Sequence, residues 1–206
     1  MIYLSIDIGW VNLAFIKAKI DDENYVILKI LEAFCVDLSS LSHTKIPLKE
    51  CKLQHSNDAY DKVQHLIQEY KDYFVDVDCV CIERQPLTGL VHIEQLLFGY
   101  FRDKAQLISP NAMHKFFKIN DFDYEGRKKI TTKISLPFLK NFTDWKNRER
   151  LHDMGDAFCL LIYALSIRKK NHEKSQNNIK LLHLGKNFNQ TGLSVCEFID
   201  QFKFKK

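Results

Sequence analysis

Four carboxylates in this sequence stand where an ordinary fold has little use for them. Asp7 lies in the alternating run Ile2-Tyr3-Leu4-Ser5-Ile6-Asp7-Ile8, just before Gly9. Aspartate disfavours strands and is costly when buried without a partner. Glu83 ends the apolar run Val77-Asp78-Cys79-Val80-Cys81-Ile82. Asp153 and Asp156 open a stretch with no further acid through Lys170, and a spacing of three puts them on one helix face. Each has a structural explanation alone. Asp7 could satisfy turn amides, Glu83 could pair with Arg84 or a lysine, and a helix start favours Asp153 and Asp156. Together they point to chemistry. If the first strand lies beside the strand ending at Glu83, both acids project toward one sheet edge. The helix can bring Asp153 and Asp156 to that edge. Four converging carboxylates resist ionisation unless a cation sits among them. Oxygen-only ligation suits Mg²⁺ or Mn²⁺, not Zn²⁺. Two such ions about 4 Å apart serve phosphodiester hydrolysis, one activating water and the other stabilising the leaving oxygen.

The elements that must position these acids follow from periodicity. Residues 2–8 alternate as a strand. Gly9-Trp10 breaks the run, and Val11 to Ile20 and Tyr25 to Phe34 read as two more strands around the polar turn Asp21–Asn24. Short connections favour antiparallel pairing. Residues 37–57 read as a polar loop. Tyr60, Val63, Leu66, Ile67, Tyr70 and Phe74 have helical spacing after the possible caps Ser56, Asn57 and Asp58. Residues 77–82 suit a buried strand, 91–104 a helix, and Leu107-Ile108 a short strand. Ser109-Pro110 is a good helix start. Residues 124–140 are partly helical, limited by Pro137. Residues 151–170 are apolar on nearly every side and form a buried helix closed by Arg168, Lys169 and Lys170. Residues 171–178 read as a polar linker, and Val195, Phe198, Ile199 and Phe202 as one amphipathic stretch. The prediction is α/β: a mixed sheet of three antiparallel strands and then parallel strands, flanked by helices. It assigns residues 1–170 to one domain and 171–206 to a basic extension.

Three blocks of this chain carry a family resemblance. Ser5-Ile6-Asp7-Ile8-Gly9-Trp10-Val11-Asn12-Leu13-Ala14 resembles the first motif of the RuvC-like Holliday junction resolvases, in their poxviral and fungal mitochondrial branches. Cys81-Ile82-Glu83-Arg84-Gln85-Pro86 is similar to their second motif, and His152-Asp153-Met154-Gly155-Asp156-Ala157 to their final Asp-x-x-Asp-Ala helix. Arg127-Lys128-Lys129 resembles the basic cluster of poxviral members. The resemblance covers roughly residues 1–170 and implies an RNase H-like fold, a homodimer and Mg²⁺-dependent paired nicking of four-way DNA junctions. It makes Asp7, Glu83, Asp153 and Asp156 metal-binding catalytic acids holding two Mg²⁺ ions, with Mn²⁺ as a substitute. It implies an active-site lysine at Lys129 or Lys128, and DNA contacts from Asn12, Arg84, Gln85, Arg127, Lys128 and Lys129. The helix at 91–104 becomes the dimer interface, through Leu96, Leu97, Tyr100 and Phe101; burial within one chain is the other reading. Val11 departs from the pattern, standing where many relatives carry lysine.

Charge and composition narrow the classes. The chain has 206 residues, 46% hydrophobic and 27% charged, which suits a globular domain. Its net charge of +4 divides into −5 over 1–114, +5 over 115–150, −2 over 151–167 and +6 over 168–206. Two basic segments thus accompany the acids, as a phosphate-tracking surface requires, although lysine-rich segments also serve solubility alone. No apolar run approaches the ~20 residues that span a bilayer, so no membrane partner is expected. Six scattered cysteines and the absence of a basic, cleavable start predict a reducing, intracellular location. Cys79-x-Cys81 and Cys51-x-x-x-His55 lack partners at zinc spacing. His152 adjoins Asp153 and either positions water or phosphate or is structural. Trp10, Phe116, Phe117, Phe122 and Tyr124 could stack on bases, but such residues are more often core.

The leading function is a structure-selective endonuclease acting on branched DNA. A ribonuclease H or transposase-type nuclease and a non-catalytic DNA-binding scaffold are the alternatives, the latter disfavoured by a costly anionic cluster facing DNA. Asp7-Ile8-Gly9 also resembles the phosphate loop of sugar-kinase and actin-like ATPases, but 206 residues leave little room for their second half, so no nucleotide cofactor is expected.

Overall fold

The computed structural model describes residues 1–40, 56, 58–147 and 149–182. Three strands come first: β1 (Ile2–Asp7), β2 (Leu13–Asp21) and β3 (Val26–Val36). Helices α1 (Ala59–Glu69) and α2 (Lys71–Phe74) follow, then β4 (Cys79–Glu83), α3 (Val91–Tyr100) and β5 (Ala105–Ile108). Helices α4 (Pro110–Phe116), α5 (Tyr124–Leu139), α6 (Thr143–Asn147) and α7 (His152–Leu182) complete the order. The sheet runs β3-β2-β1-β4-β5. β1 pairs antiparallel with β2, and β2 with β3, while β4 runs parallel to both β1 and β5. The expected mixed sheet is therefore present, with β1 beside β4.

β1 is buried on both faces, so its side chains sort by parity. Leu4 and Ile6 join Phe15, Val80 and Ile82 under α1 and α3, with Val63, Leu66, Ile93 and Leu97. Tyr3 joins Ala14, Ile16, Cys79 and Cys81 under α7, with Ala157, Phe158, Leu161 and Leu165. Two core layers therefore lie on opposite faces of one sheet. Cys35, Cys79, Cys81 and Cys159 are buried free thiols, as core residues rather than zinc ligands.

Several local expectations are corrected. The helix expected over 60–74 breaks at Tyr70 into α1 and α2. α3 ends at Tyr100, short of 104, because Phe101 turns back: its N–H donates to Leu97 O, and Lys104 N–H to Phe101 O. α5 is helical through almost all of the segment expected to be only partly so: it carries Pro137 inside it, and Lys140 N still donates to Leu136 O at 3.1 Å beyond the proline. α6 has no periodic signature; Asp144 anchors it by accepting from Cys35 N at 3.2 Å. α7 runs on through the expected linker to Leu182, through a stretch free of glycine and proline. The amphipathic stretch at 195–202, the Cys51–His55 pair and most of the loop at 37–57 lie outside the described residues.

Candidate active site

The parity that sorts the core also builds the site. Asp7 shares a face with Tyr3, and Glu83 shares the same face with Cys79 and Cys81. One step beyond the Ile6–Ile82 pair, both strands end in their acid. Asp153 and Asp156 sit in the opening turns of α7, which packs on that face. All four line one pocket of about 400 Å³. Gly9 and Asn12 turn the chain away from β1: a Cβ on Gly9 would lie 2.5 Å from Asn12 O, a distance no side chain tolerates. Gly155 serves in the same way on α7. A Cβ there would sit 3.0 Å from the Thr131 carbonyl, so glycine lets α5 approach and deliver Lys128 beside Asp156.

The electrostatics are those of crowded acids. Burial, then Glu83 and Asp156, push the Asp7 carboxyl well above the usual carboxylate range. Burial also raises Glu83, although hydrogen bonds from Asp7, Ile8 N and Gln85 hold it down in part. The two carboxyls thus favour sharing one proton. Burial opposes the Lys128 ammonium, but Asp156 outweighs it and keeps the lysine charged; its Nζ lies 2.5 Å from Asp156 Oδ2. Arg150 donates to Asp153 from Nε at 3.3 Å and from Nη2 at 3.5 Å. His152 Nε2 lies 3.3 Å from both Asp153 Oδ1 and Arg150 Nη2. Arginine can only donate, so the imidazole accepts there, and burial lowers the His152 pKa toward that neutral form.

The donor chemistry suits a hard cation. Every candidate ligand is a carboxylate oxygen, and the Asp7–Glu83 pair already needs a positive partner. Among the described residues, however, no three Asp, Glu, His or Cys side chains stand close enough to hold an ion as they are. Lys128 and Arg150 occupy Asp156 and Asp153 instead. A cation held by these acids would have to replace the shared proton and draw at least one outer acid from its basic partner.

The remaining expected residues divide. Asn12 and Arg127 line the pocket, and Arg127 Nη1 donates to Phe122 O at 2.6 Å. Lys128 enters the pocket, whereas Lys129 is exposed outside it. Of the two lysines left open by the sequence, Lys128 is thus the one directed at the acids: one helical residue, about 100°, separates the two directions. Arg84 is exposed and outside the pocket. Gln85 lines it, but its amide is engaged within the chain rather than free for DNA: Nε2 donates to Glu83 Oε2 at 2.6 Å, and Oε1 accepts from Leu90 N at 3.3 Å. The four residues expected at an interface also divide, and for two of them burial within one chain is the reading that fits. Leu97 and Phe101 are buried in the chain's own core, while Leu96 is half-buried and Tyr100 46% exposed. Sequence reasoning missed Arg150 and His114, both lining the pocket. The only signal for Arg150 was a basic residue three before Asp153; His114 had none.

Comparison with known proteins fits this architecture. The fowlpox virus resolvase, in a complex with substrate Holliday junction DNA, matches 81% of this chain and 98% of its own, with 20% identity and a TM-score of 0.57. A second structure of the fowlpox virus Holliday junction resolvase matches 82% and 99%, with 21% identity and a TM-score of 0.53. The yeast mitochondrial Holliday junction resolvase matches 88% and 84%, with 14% identity and a TM-score of 0.57. At these identities the likeness establishes the fold alone, an RNase H-like mixed sheet flanked by helices. No curated protein matches the chain in sequence. The family model described as Poxvirus A22 protein matches residues 1–169, from β1 through all three acidic motifs, so the chain belongs to the Poxvirus A22 protein family.

Proposed function

We propose that this chain is a metal-dependent endonuclease that resolves four-way DNA junctions by paired phosphodiester hydrolysis. The observation that carries the reading is the convergence of Asp7, Glu83, Asp153 and Asp156 with Lys128 in one pocket. The fold is shared with a resolvase whose structure holds Holliday junction DNA as substrate, and the family match spans the whole site. Asp7 and Glu83, with Asp153 or Asp156, would hold Mg²⁺ or Mn²⁺. When bound, the cation supplies charge stabilisation and an activated water.

The chain's own residues supply the rest. Lys128 leaves Asp156 to meet the phosphate, and its ammonium stabilises charge developing on the reacting oxygens. Arg127 and Arg150, at the pocket wall, take flanking phosphates, so Arg150 exchanges a carboxylate for a phosphate when DNA arrives. His152 stays at the edge of Asp153, 3.3 Å from its Oδ1. Contacts of this kind read backbone and shape, so affinity falls with salt. Two coordinated cuts require two sites, which a two-fold homodimer provides.

A substrate panel tests the reading. With Mg²⁺, a labelled four-way junction should be cut into paired nicked duplexes, while linear duplex and RNA–DNA hybrid persist. Preferential cutting of the hybrid would instead assign a ribonuclease H-type activity.

A further inference from the structure

Glu94 is a buried acid that the chemistry above leaves unused. It lies in α3 between core residues Ile93 and Leu97 and is 4% exposed. Its Oε2 accepts from Gln85 N at 2.5 Å, and its Oε1 accepts from Gln95 Nε2 at 2.7 Å. Gln85 in turn donates from Nε2 to Glu83 Oε2 at 2.6 Å and accepts from Leu90 N at Oε1. The loop closes tightly on that amide, since a Cβ on Gly89 would lie 3.0 Å from Gln85 Oε1. Gln85 stands two residues past the end of β4, where sheet pairing no longer fixes the backbone.

We infer that Glu94 is a positioning residue, which grips the Gln85 backbone so that the Gln85 amide presents the Glu83 carboxylate to the site. Only one polar contact separates Glu83 from Gln85, and one more separates Gln85 from Glu94. Burying an acid in a helix is costly unless its oxygens are satisfied, and here they are satisfied by this loop and by its own neighbour. α3 thus sets the direction of a ligand carried by β4. The inference rests on the metal-dependent reading of the site. Partners of a metal ligand typically contribute about 10–100-fold to metal affinity.

The test is Mn²⁺ binding to the full chain, followed by the magnetic resonance signal of unbound ion. Junction cleavage is measured in parallel across Mn²⁺ concentrations. Glu94→Ala and Gln85→Ala should each weaken Mn²⁺ binding about tenfold or more. Their cleavage should recover at high Mn²⁺, unlike that of a lost ligand. Glu94→Gln keeps an oxygen for Gln85 N and should bind as wild type does. Alanine variants that lower the melting temperature without moving the Mn²⁺ midpoint would overturn the inference. So would Glu94→Gln binding as poorly as Glu94→Ala. If Glu94→Ala does not fold, Glu94→Asp decides, because its shorter side chain draws the carboxylate away from Gln85 N while keeping the charge: an unmoved Mn²⁺ midpoint would overturn the inference. A wild type that binds no Mn²⁺ and cuts no junction would overturn the nuclease reading and this inference with it. A wild type that binds and cuts, with variants unmoved, would overturn the positioning alone.

Discussion

Asp7 is a buried acid whose strain has a measurable sign. Its carboxyl, like that of Glu83, is raised first by burial. The folded chain therefore keeps protons that the unfolded chain has already lost. Stability of the metal-free protein should fall as pH rises above about 4, the ordinary carboxylate value, through the raised range of this pair. Asp7→Asn removes the repulsion and should be more stable than wild type at neutral pH without metal. Thermal melts in chelator across pH check this; an Asn variant less stable than wild type would contradict it. A second prediction separates neighbours. Lys128→Ala should lower cleavage at saturating DNA by about 10²-fold or more, and Lys129→Ala should leave that rate unchanged. Single-turnover rates decide between them. The four acids were legible because a carboxylate in an apolar strand carries a cost that something must offset. The lysine was not, because two adjacent basic residues differ only in helix phase. That phase is set by the start of α5, where Asp123 caps by accepting from Gly126 N at 2.7 Å. Glu94 was illegible for a similar reason: an acid inside a helix pattern looks solvent-facing until the fold turns it inward.

At the scale of elements, close approach governs the site. Gly155 lets α7 meet the backbone of α5, and the contact brings Lys128 to Asp156. Gly155→Ala should destabilise the chain by about 1–3 kcal/mol, as overpacking does. It should also move the lysine off the acid. Gly99 in α3 has nothing within 4 Å of the same substitution, so Gly99→Ala should stabilise by about 0.5–1 kcal/mol. Urea unfolding of both variants compares them directly; equal effects would refute the packing argument. The elements themselves were largely legible where hydrophobic period was strong, as in β1, β4 and the first turns of α7. α6 was not, since only five residues form it and a tertiary bond from Asp144 to β3 holds it in place. The end of α7 was misjudged because a polar sequence does not stop a helix without glycine or proline.

At the scale of the whole molecule, the account requires two sites acting together and one reaction at each. If a second copy packs on α3, the surface left for it is narrower than the helix's composition suggested. Leu97 belongs to the chain's own core, so Leu97→Glu should unfold the protein rather than separate subunits. Tyr100→Glu, on the exposed side, should give a folded monomer that nicks junctions without pairing its cuts, measured by light scattering and by product ligation. An unchanged dimer would move the interface off α3. The central claim is that the carboxylates of one pocket hydrolyse junction DNA with a divalent cation. Its most direct test is cleavage of one labelled four-way junction by wild type, Asp7→Asn and Glu83→Gln, with Mg²⁺ and in chelator, alongside binding of the same DNA. The account predicts Mg²⁺-dependent cutting by wild type only, with the variants still binding the junction, since removing negative charge near phosphates does not weaken contact. Cutting in chelator, or near-normal cutting by either variant, would contradict it.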